Sequence, residues 1–414
     1  MRVLLSSIGS RGDVQPILAL AVELRILGHE PVLLVAPNFS SWVESFGIGC
    51  IPIGPDVRQS ARQFAQSAAR RKPTKEQLRQ LAQHTVREQF QATLAAARGC
   101  DLMVVGGVLQ TAGRSIAEAL RIPYVYAAYC PATLRSAEHP PPKMRSRIRS
   151  QTLPTWMNRL LWMLDERSWN RFFREVLNEQ RAALGLAPVS NVARYVATEH
   201  PWLAADPLLG PAAGSDDLQT AQTGAWLLSD PAPLPDELEE FLAAGEPPVY
   251  FGFGSMQSGP LTGRTLLESA RESGHRAIIS RGWADLSAAD SGADCISVAD
   301  VNHQKLFWRV AAVVHHGGAG TTMAAARAGK PQVVVPHHYD QYYWAHRVRK
   351  LGVGVPGPNA ADLTVSALVK ALRECMTAAV TSAARTLAFR IELHGARIAA
   401  ERLATRFSPR IPPL

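Results

Sequence analysis

Val313-Val314-His315-His316-Gly317-Gly318-Ala319-Gly320-Thr321-Thr322 is the stretch on which the fold turns. A β-branched run ends in two histidines, passes through small residues and resumes at helical spacing, which is the order strand, tight turn, helix start. Such a turn offers backbone N–H groups at the positive end of a helix, and small residues let an anion approach them closely. Gly318, Gly320 and Thr321 are the candidate contacts, with His315 at the strand end. The spacing is not GxxxxGK[ST] and no lysine follows, which disfavours Walker-type ATP hydrolysis.

Outward from this stretch, short apolar runs alternate with amphipathic ones. Strands are expected at 3–7, 32–35, 50–53, 102–105 and 124–128, then at 249–253, 277–280, 295–298, 312–315 and 332–335. Helices separate them, including a long one over 156–184 and a last one over 384–407. Strand runs apolar on both faces, divided by helices, imply α/β architecture with doubly wound parallel sheets. The Gly-, Pro- and Asp-rich stretch ending in Asp230-Pro231-Ala232-Pro233-Leu234-Pro235 marks a linker. The expected organisation is residues 1–220, a linker at 221–235, and residues 236–414, with the last helix placed to pack back on the first half. Two such halves facing a cleft would bind ligands at the carboxyl ends of their strands.

The 414 residues are 47% hydrophobic and 19% charged, enough to bury two cores. The formal charge of +9 suits anionic partners. No RNA- or DNA-binding motif accompanies it, so nucleic acid is not expected. Five scattered cysteines without CxxC spacing fit a reducing cytoplasm and argue against a zinc site.

Two further turns lie at strand ends. Gly9-Ser10-Arg11-Gly12-Asp13-Val14-Gln15-Pro16 lacks GxGxxG spacing, and no acid follows the second strand at Ala36-Pro37-Asn38, so NAD and FAD are not expected. Asp13 reads either as the N-cap of a helix with Pro16 in its first turn or as a general base at the cleft. Arg11 reads as a solvated turn residue or an anion contact. After the strand at 332–335 comes Pro336-His337-His338-Tyr339-Asp340-Gln341, whose carboxylate and amide suit a polyol. His337 and His338 diverge at i,i+1 spacing, so no metal is assigned.

Together these residues resemble the GT-B glycosyltransferases of the nucleotide-sugar-dependent family 1 type, in the actinobacterial natural-product branch acting on vancomycin-type aglycones. The resemblance rests on Ser10–Pro16, Gly254-Ser255-Met256, Ser280-Arg281-Gly282-Trp283-Ala284, Val301-Asn302-His303-Gln304, His315–Thr322 and Asp340-Gln341. It implies two Rossmann-like domains, the first binding an acceptor and the second a nucleoside-diphosphate sugar. Trp283 would stack on the donor base and Val301 contact it through backbone. Ser255, His315, Gly320 and Thr321 would hold the diphosphate, Asp340 and Gln341 the sugar, and Asp13 would deprotonate the acceptor hydroxyl. The expected activity is an inverting, metal-independent transfer of a hexose from a UDP- or dTDP-sugar, with no cofactor, to a hydrophobic or aromatic acceptor. A nucleotide-sugar 2-epimerase of the same fold, and transfer to a lipid or sterol at a membrane surface, are the alternatives.

For the acceptor, Trp156, Trp162 and Trp169 form either an aromatic wall or one side of a core helix. Lys143, Arg145, Arg147 and Arg149 form either a solvated loop or a contact for an anionic membrane or acidic acceptor.

Overall fold

The computed structural model describes residues 1–61, 63, 74–108, 110–142, 153–214, 217–256, 262–290 and 292–407. The first sheet contains β1 (Arg2–Ser7), β2 (Glu30–Val35), β3 (Gly49–Pro52), β4 (Leu102–Gly106), β5 (Tyr124–Ala128), β6 (Trp202–Leu203) and β7 (Ala221–Gln222). The second contains β8 (Val249–Gly252), β9 (Ala277–Ser280), β10 (Cys295–Val298), β11 (Ala312–His315), β12 (Gln332–Val334) and β13 (Gly354–Pro356). Their orders are β3-β2-β1-β4-β5-β6-β7 and β10-β9-β8-β11-β12-β13, with every pair of neighbours parallel.

The apolar runs become central strands because both faces are covered. Val3, Leu4, Leu5, Val104, Val313 and Val314 have no exposed surface. Each sheet reverses its strand order beside its first strand, which opens a crevice at the carboxyl ends there. In the first sheet that place is marked by Ser7 beside Gly106, and in the second by Gly252 beside His315.

Three short strands, β6, β7 and β13, were not expected from sequence. Because β7 belongs to the first sheet, the connection to the second begins at Thr223. Asn302 Nδ2 donates to the Asp230 and Ala232 carbonyls at 2.8 and 3.0 Å, and Lys305 Nζ to that of Pro231 at 2.8 Å, tying this connection to the second domain. The single helix expected at 384–407 is two, Ala378–Ala388 and Gly395–Phe407. The break lies where the chain crosses to the first domain and Glu392 N–H donates to Asp206 Oδ2 at 2.9 Å. Ala396, Ala399, Ala400 and Leu403 of the last helix then join the core built on Val3, Leu5 and Val14. No helix among the described residues is long and apolar enough to cross a membrane.

The domains meet through the helix Gln341–Lys350. Trp344 is 1% exposed and shares a core with Leu203, Ala205 and Leu209. Arg347 donates from Nε to the Leu209 carbonyl and from Nη2 to that of Leu208, both at 2.8 Å. Gly210 leaves room for the indole, since a Cβ there would stand 2.9 Å from Trp344 Cη2. Gly210→Ala should therefore overpack this junction, costing about 1–3 kcal/mol. Calorimetry should show a lowered melting midpoint; an unchanged midpoint would mean that the indole is not confined.

Candidate active site

The chain leaves β1 at Ser7 and enters the helix Arg11–Ile26 within four residues. Ser10, not Asp13, is the N-cap, and Pro16 falls in the second turn, leaving the Gly12 carbonyl without its intrahelical donor. Asp13 occupies the third helical position, where its carboxylate reaches back. Ser10 donates to Asp13 Oδ2 from its backbone N–H at 2.8 Å and from its hydroxyl at 3.0 Å. Glycines also pack against this carboxylate. A Cβ on Gly9 would stand 2.3 Å from Oδ2, and one on Gly107 would stand 3.4 Å from Oδ1. Burial raises the Asp13 pKa, and the Ser10 bonds pull it back down.

Asp340 faces Asp13 from the second domain. Its carboxyl is pushed up to about 7, chiefly by burial and further by the charge of Asp13, while the bond from Trp344 opposes the shift. That bond runs from Trp344 Nε1–H to Oδ2 at 3.1 Å. Tyr339, just before it, holds a left-handed backbone with φ 58°, uncommon for a residue with a side chain. Gln341 is 4% exposed and its amide serves the turn. Its Oε1 accepts from His337 and His338 N–H at 2.7 and 3.1 Å, and its Nε2 donates to Met256 Sδ at 3.3 Å.

The glycine turn after β11 leads into the helix Ala319–Arg327, whose N-cap is Gly318 and which has no side-chain cap. Its first backbone bond within the turn runs from Thr322 N–H to the Gly318 carbonyl. The N–H groups of Ala319, Gly320 and Thr321 precede it and have no intrahelical acceptor. Gly320 is exposed, with open space where a Cβ would point. His315 is fully buried beneath this turn. Gly317 N–H donates to its Nδ1 at 3.1 Å, so the neutral ring carries its proton on Nε2 and donates it to Gln332 Oε1 at 3.0 Å. Burial lowers its pKa to about 4, and that of neighbouring His316 to about 3, so neither ring is charged at neutral pH. His316 fits between the turns: a Cβ on Gly254 would stand 3.1 Å from its Cε1, and one on Gly318 would stand 2.6 Å from its Nε2.

The remaining predicted residues divide. Ser255 lies in the turn after β8, next to Gly254, which packs against His316. Trp283 donates its backbone N–H to the Gly254 carbonyl at 2.9 Å, and its partly buried ring packs on the first domain's core. Val301 is buried in the second domain. Arg11 spans the cleft: its guanidinium lies 4.7 Å from the Trp42 ring centroid and pairs with Asp300 at 3.5 Å. The three tryptophans of the helix Thr155–Ala183 do not form one wall. Trp156 is 61% exposed, Trp162 is buried and donates to the His139 carbonyl at 2.9 Å, and Trp169 packs on Phe173 with centroids 5.0 Å apart. Lys143, Arg145, Arg147 and Arg149 lie outside the described residues. Sequence reasoning gave no role to Gly107, Gln332 or Trp344. The pair Gly106-Gly107 at a strand's end was the available signal for the first, and nothing local marked the others.

Among the described residues, Asp290, Asp294 and Cys295 bring potential metal-ligand atoms within 4.8 Å of one another. They sit at the amino end of β10, the edge of the sheet away from the glycine turns, and Arg271 binds both carboxylates.

The Asp340 shift fixes a sign. Its ordinary value is 3.8 and its folded value about 7, so between them the folded state holds a proton that the unfolded state lacks. Relative stability is then highest at the acidic end of this window and is lost as pH rises towards about 7. The melting midpoint of the wild type relative to Asp340→Asn should fall across that window and level off above it. A difference that grows with pH would contradict the protonated carboxyl.

Residues 3–138 match the glycosyltransferase family 28 N-terminal domain, and residues 266–392 match the erythromycin biosynthesis protein CIII-like C-terminal domain. The vancomycin aglycone glucosyltransferase of Amycolatopsis orientalis is 42% identical over 415 residues, covering 100% of this chain and 99% of that protein. The dTDP-epi-vancosaminyltransferase of the same organism is 39% identical over 399 residues, covering 94% of this chain and 93% of that one. Among solved structures, spinosyn forosaminyltransferase SpnP aligns with a TM-score of 0.71 at 19% identity, over 99% of this chain and 100% of its own. The glycosyltransferase VinC in complex with dTDP aligns with a TM-score of 0.66 at 22% identity, over 97% and 100%. The chain has the GT-B fold and belongs to the natural-product glycosyltransferases, in the family that contains the vancomycin aglycone glucosyltransferase.

Proposed function

We propose that the protein transfers a hexose from a UDP- or dTDP-sugar to a hydroxyl of a hydrophobic or aromatic natural-product aglycone, with inversion at the anomeric carbon. The carrying observation is the pair of carboxylates, Asp13 and Asp340, set on opposite domains with an uncapped helix N-terminus on the same side of the second sheet as Asp340. One relative's name gives an aglycone and a glucosyl group, and another's gives a dTDP-sugar, which supports this class of substrates.

In the proposed reaction Asp13 takes the proton of the acceptor hydroxyl. The acceptor oxygen bonds to the anomeric carbon as the bond from that carbon to the phosphate oxygen breaks. The nucleoside diphosphate leaves from the opposite face with the electron pair. Ser10 orients the Asp13 carboxylate and favours its ionised form. The backbone N–H groups of Ala319, Gly320 and Thr321 meet the growing negative charge on the diphosphate, with Ser255 beside them. His315, being neutral, shapes that turn instead of supplying charge. Asp340 binds a sugar hydroxyl, and with Gln341 committed to its own turn it does so without the neighbouring amide.

Asp13→Asn preserves an acceptor for Ser10 but removes the base. Transfer should fall about 10²- to 10⁴-fold while affinity for the free nucleotide holds. Product analysis by mass spectrometry together with calorimetric titration would measure both, and wild-type turnover would remove Asp13 as the base. Because backbone N–H groups carry the phosphate contact in this scheme, transfer should persist in EDTA. A loss restored by a divalent cation would replace the metal-independent form of the mechanism.

A further inference from the structure

Gln332 opens β12 with no exposed surface, two residues upstream of Val334, the strand partner of His315. Its Oε1 is the acceptor for His315 Nε2–H. On the other side of the ring, Nδ1 receives the N–H of Gly317, a residue at φ 91° whose added Cβ would stand 2.7 Å from Val334 Cγ1. The two bonds are linked through one proton. Neutral imidazole carries a single N–H, so Nδ1 can accept from Gly317 only while the proton stays on Nε2. If Nε2–H lost its buried acceptor, the penalty of an unpaired donor would favour moving the proton to Nδ1, where it would oppose Gly317 N–H.

We infer that Gln332 is a positioning residue for donor binding: it fixes the tautomer of His315, which fixes Gly317 and thereby aims the N–H groups of Ala319, Gly320 and Thr321 at the diphosphate. The last step rests on the proposed function; the tautomer does not. The ionisable groups around the ring are His316, the next residue, and His303, which shares a hydrogen bond with Tyr250.

Nitrogen-15 NMR of histidine-labelled full-length protein reads the tautomer without any nucleotide. His315 should be the Nε2–H form, unchanged from pH 6 to 8; finding the proton on Nδ1 overturns the inference. Gln332→Met, close in volume but lacking the acceptor, should erode that tautomer and raise the Kd for dTDP or UDP about tenfold, or about 1.4 kcal/mol. In a His315→Asn background, which keeps an acceptor for Gly317 but has no Nε2–H, the same change should leave Kd within about twofold. Gln332→Glu retains the acceptor but favours imidazolium. Its affinity should match wild type near pH 8 and weaken towards pH 6 as Nδ1 gains a proton, a slope the wild type lacks. Wild-type tautomer and affinity in Gln332→Met, or equal losses in both backgrounds, would overturn the role. Failure of wild type to bind either nucleotide would count against the donor reading while leaving the tautomer measurement intact.

Discussion

Trp344 is the residue on which the site's geometry depends. Its indole is almost wholly buried at the junction of the domains, its ring edge lies over Gly210, and its N–H holds Asp340 Oδ2. The contact that fixes how the domains meet therefore also fixes one of the two facing carboxylates. A shift of the helix Gln341–Lys350 along the first domain would break the Arg347 bonds to Leu208 and Leu209 and carry Asp340 with it. The strained backbone at Tyr339 is held in the same turn, where Gln341 gathers the N–H groups of His337 and His338.

The two histidines before the glycine turn are neutral because burial makes imidazolium costly. Arg11 is engaged with Trp42 and Asp300 across the cleft. The uncapped helix start at the second crevice offers the positive end of backbone dipoles, which need no desolvation of a full charge. Burial raises the carboxyls of both Asp13 and Asp340, and the charge of Asp13 raises Asp340 further. Asp340, with its carboxyl at about 7, can then hold a proton and donate where Asp13 accepts.

Much of the fold was legible because central parallel strands must be apolar on both faces. Val3–Leu5, Val104–Val105 and Val313–Val314 announce themselves. The two-residue strands β6 and β7 carry no period to detect, and the break before Gly395 is set by Asp206, far away in sequence. The chemistry-bearing residues were legible by type, but their partners were not. His315, Gln341 and Arg11 all suit phosphate or sugar in isolation, yet each has hydrogen bonds or ion pairs within the protein that only the tertiary structure assigns. Trp162 and Trp169, seven residues apart, turn inward together, whereas Trp156 lies on the exposed side of the same helix. Composition alone could not sort them.

Asp13 shows why the two readings of a carboxylate at a helix start need not compete. A capping box uses one oxygen of the acid, and here Ser10 takes Oδ2 with both its N–H and its hydroxyl. Oδ1 is left on the side of Gly107, which has no side chain of its own there. The same bonds that stabilise the helix also favour the ionised acid, against the upward pull of burial on its pKa. Helix capping and the proton acceptance proposed for Asp13 thus draw on one geometry. Placing Asp13 three residues after a serine N-cap both orients the carboxylate and offsets part of the rise that burial imposes on its pKa.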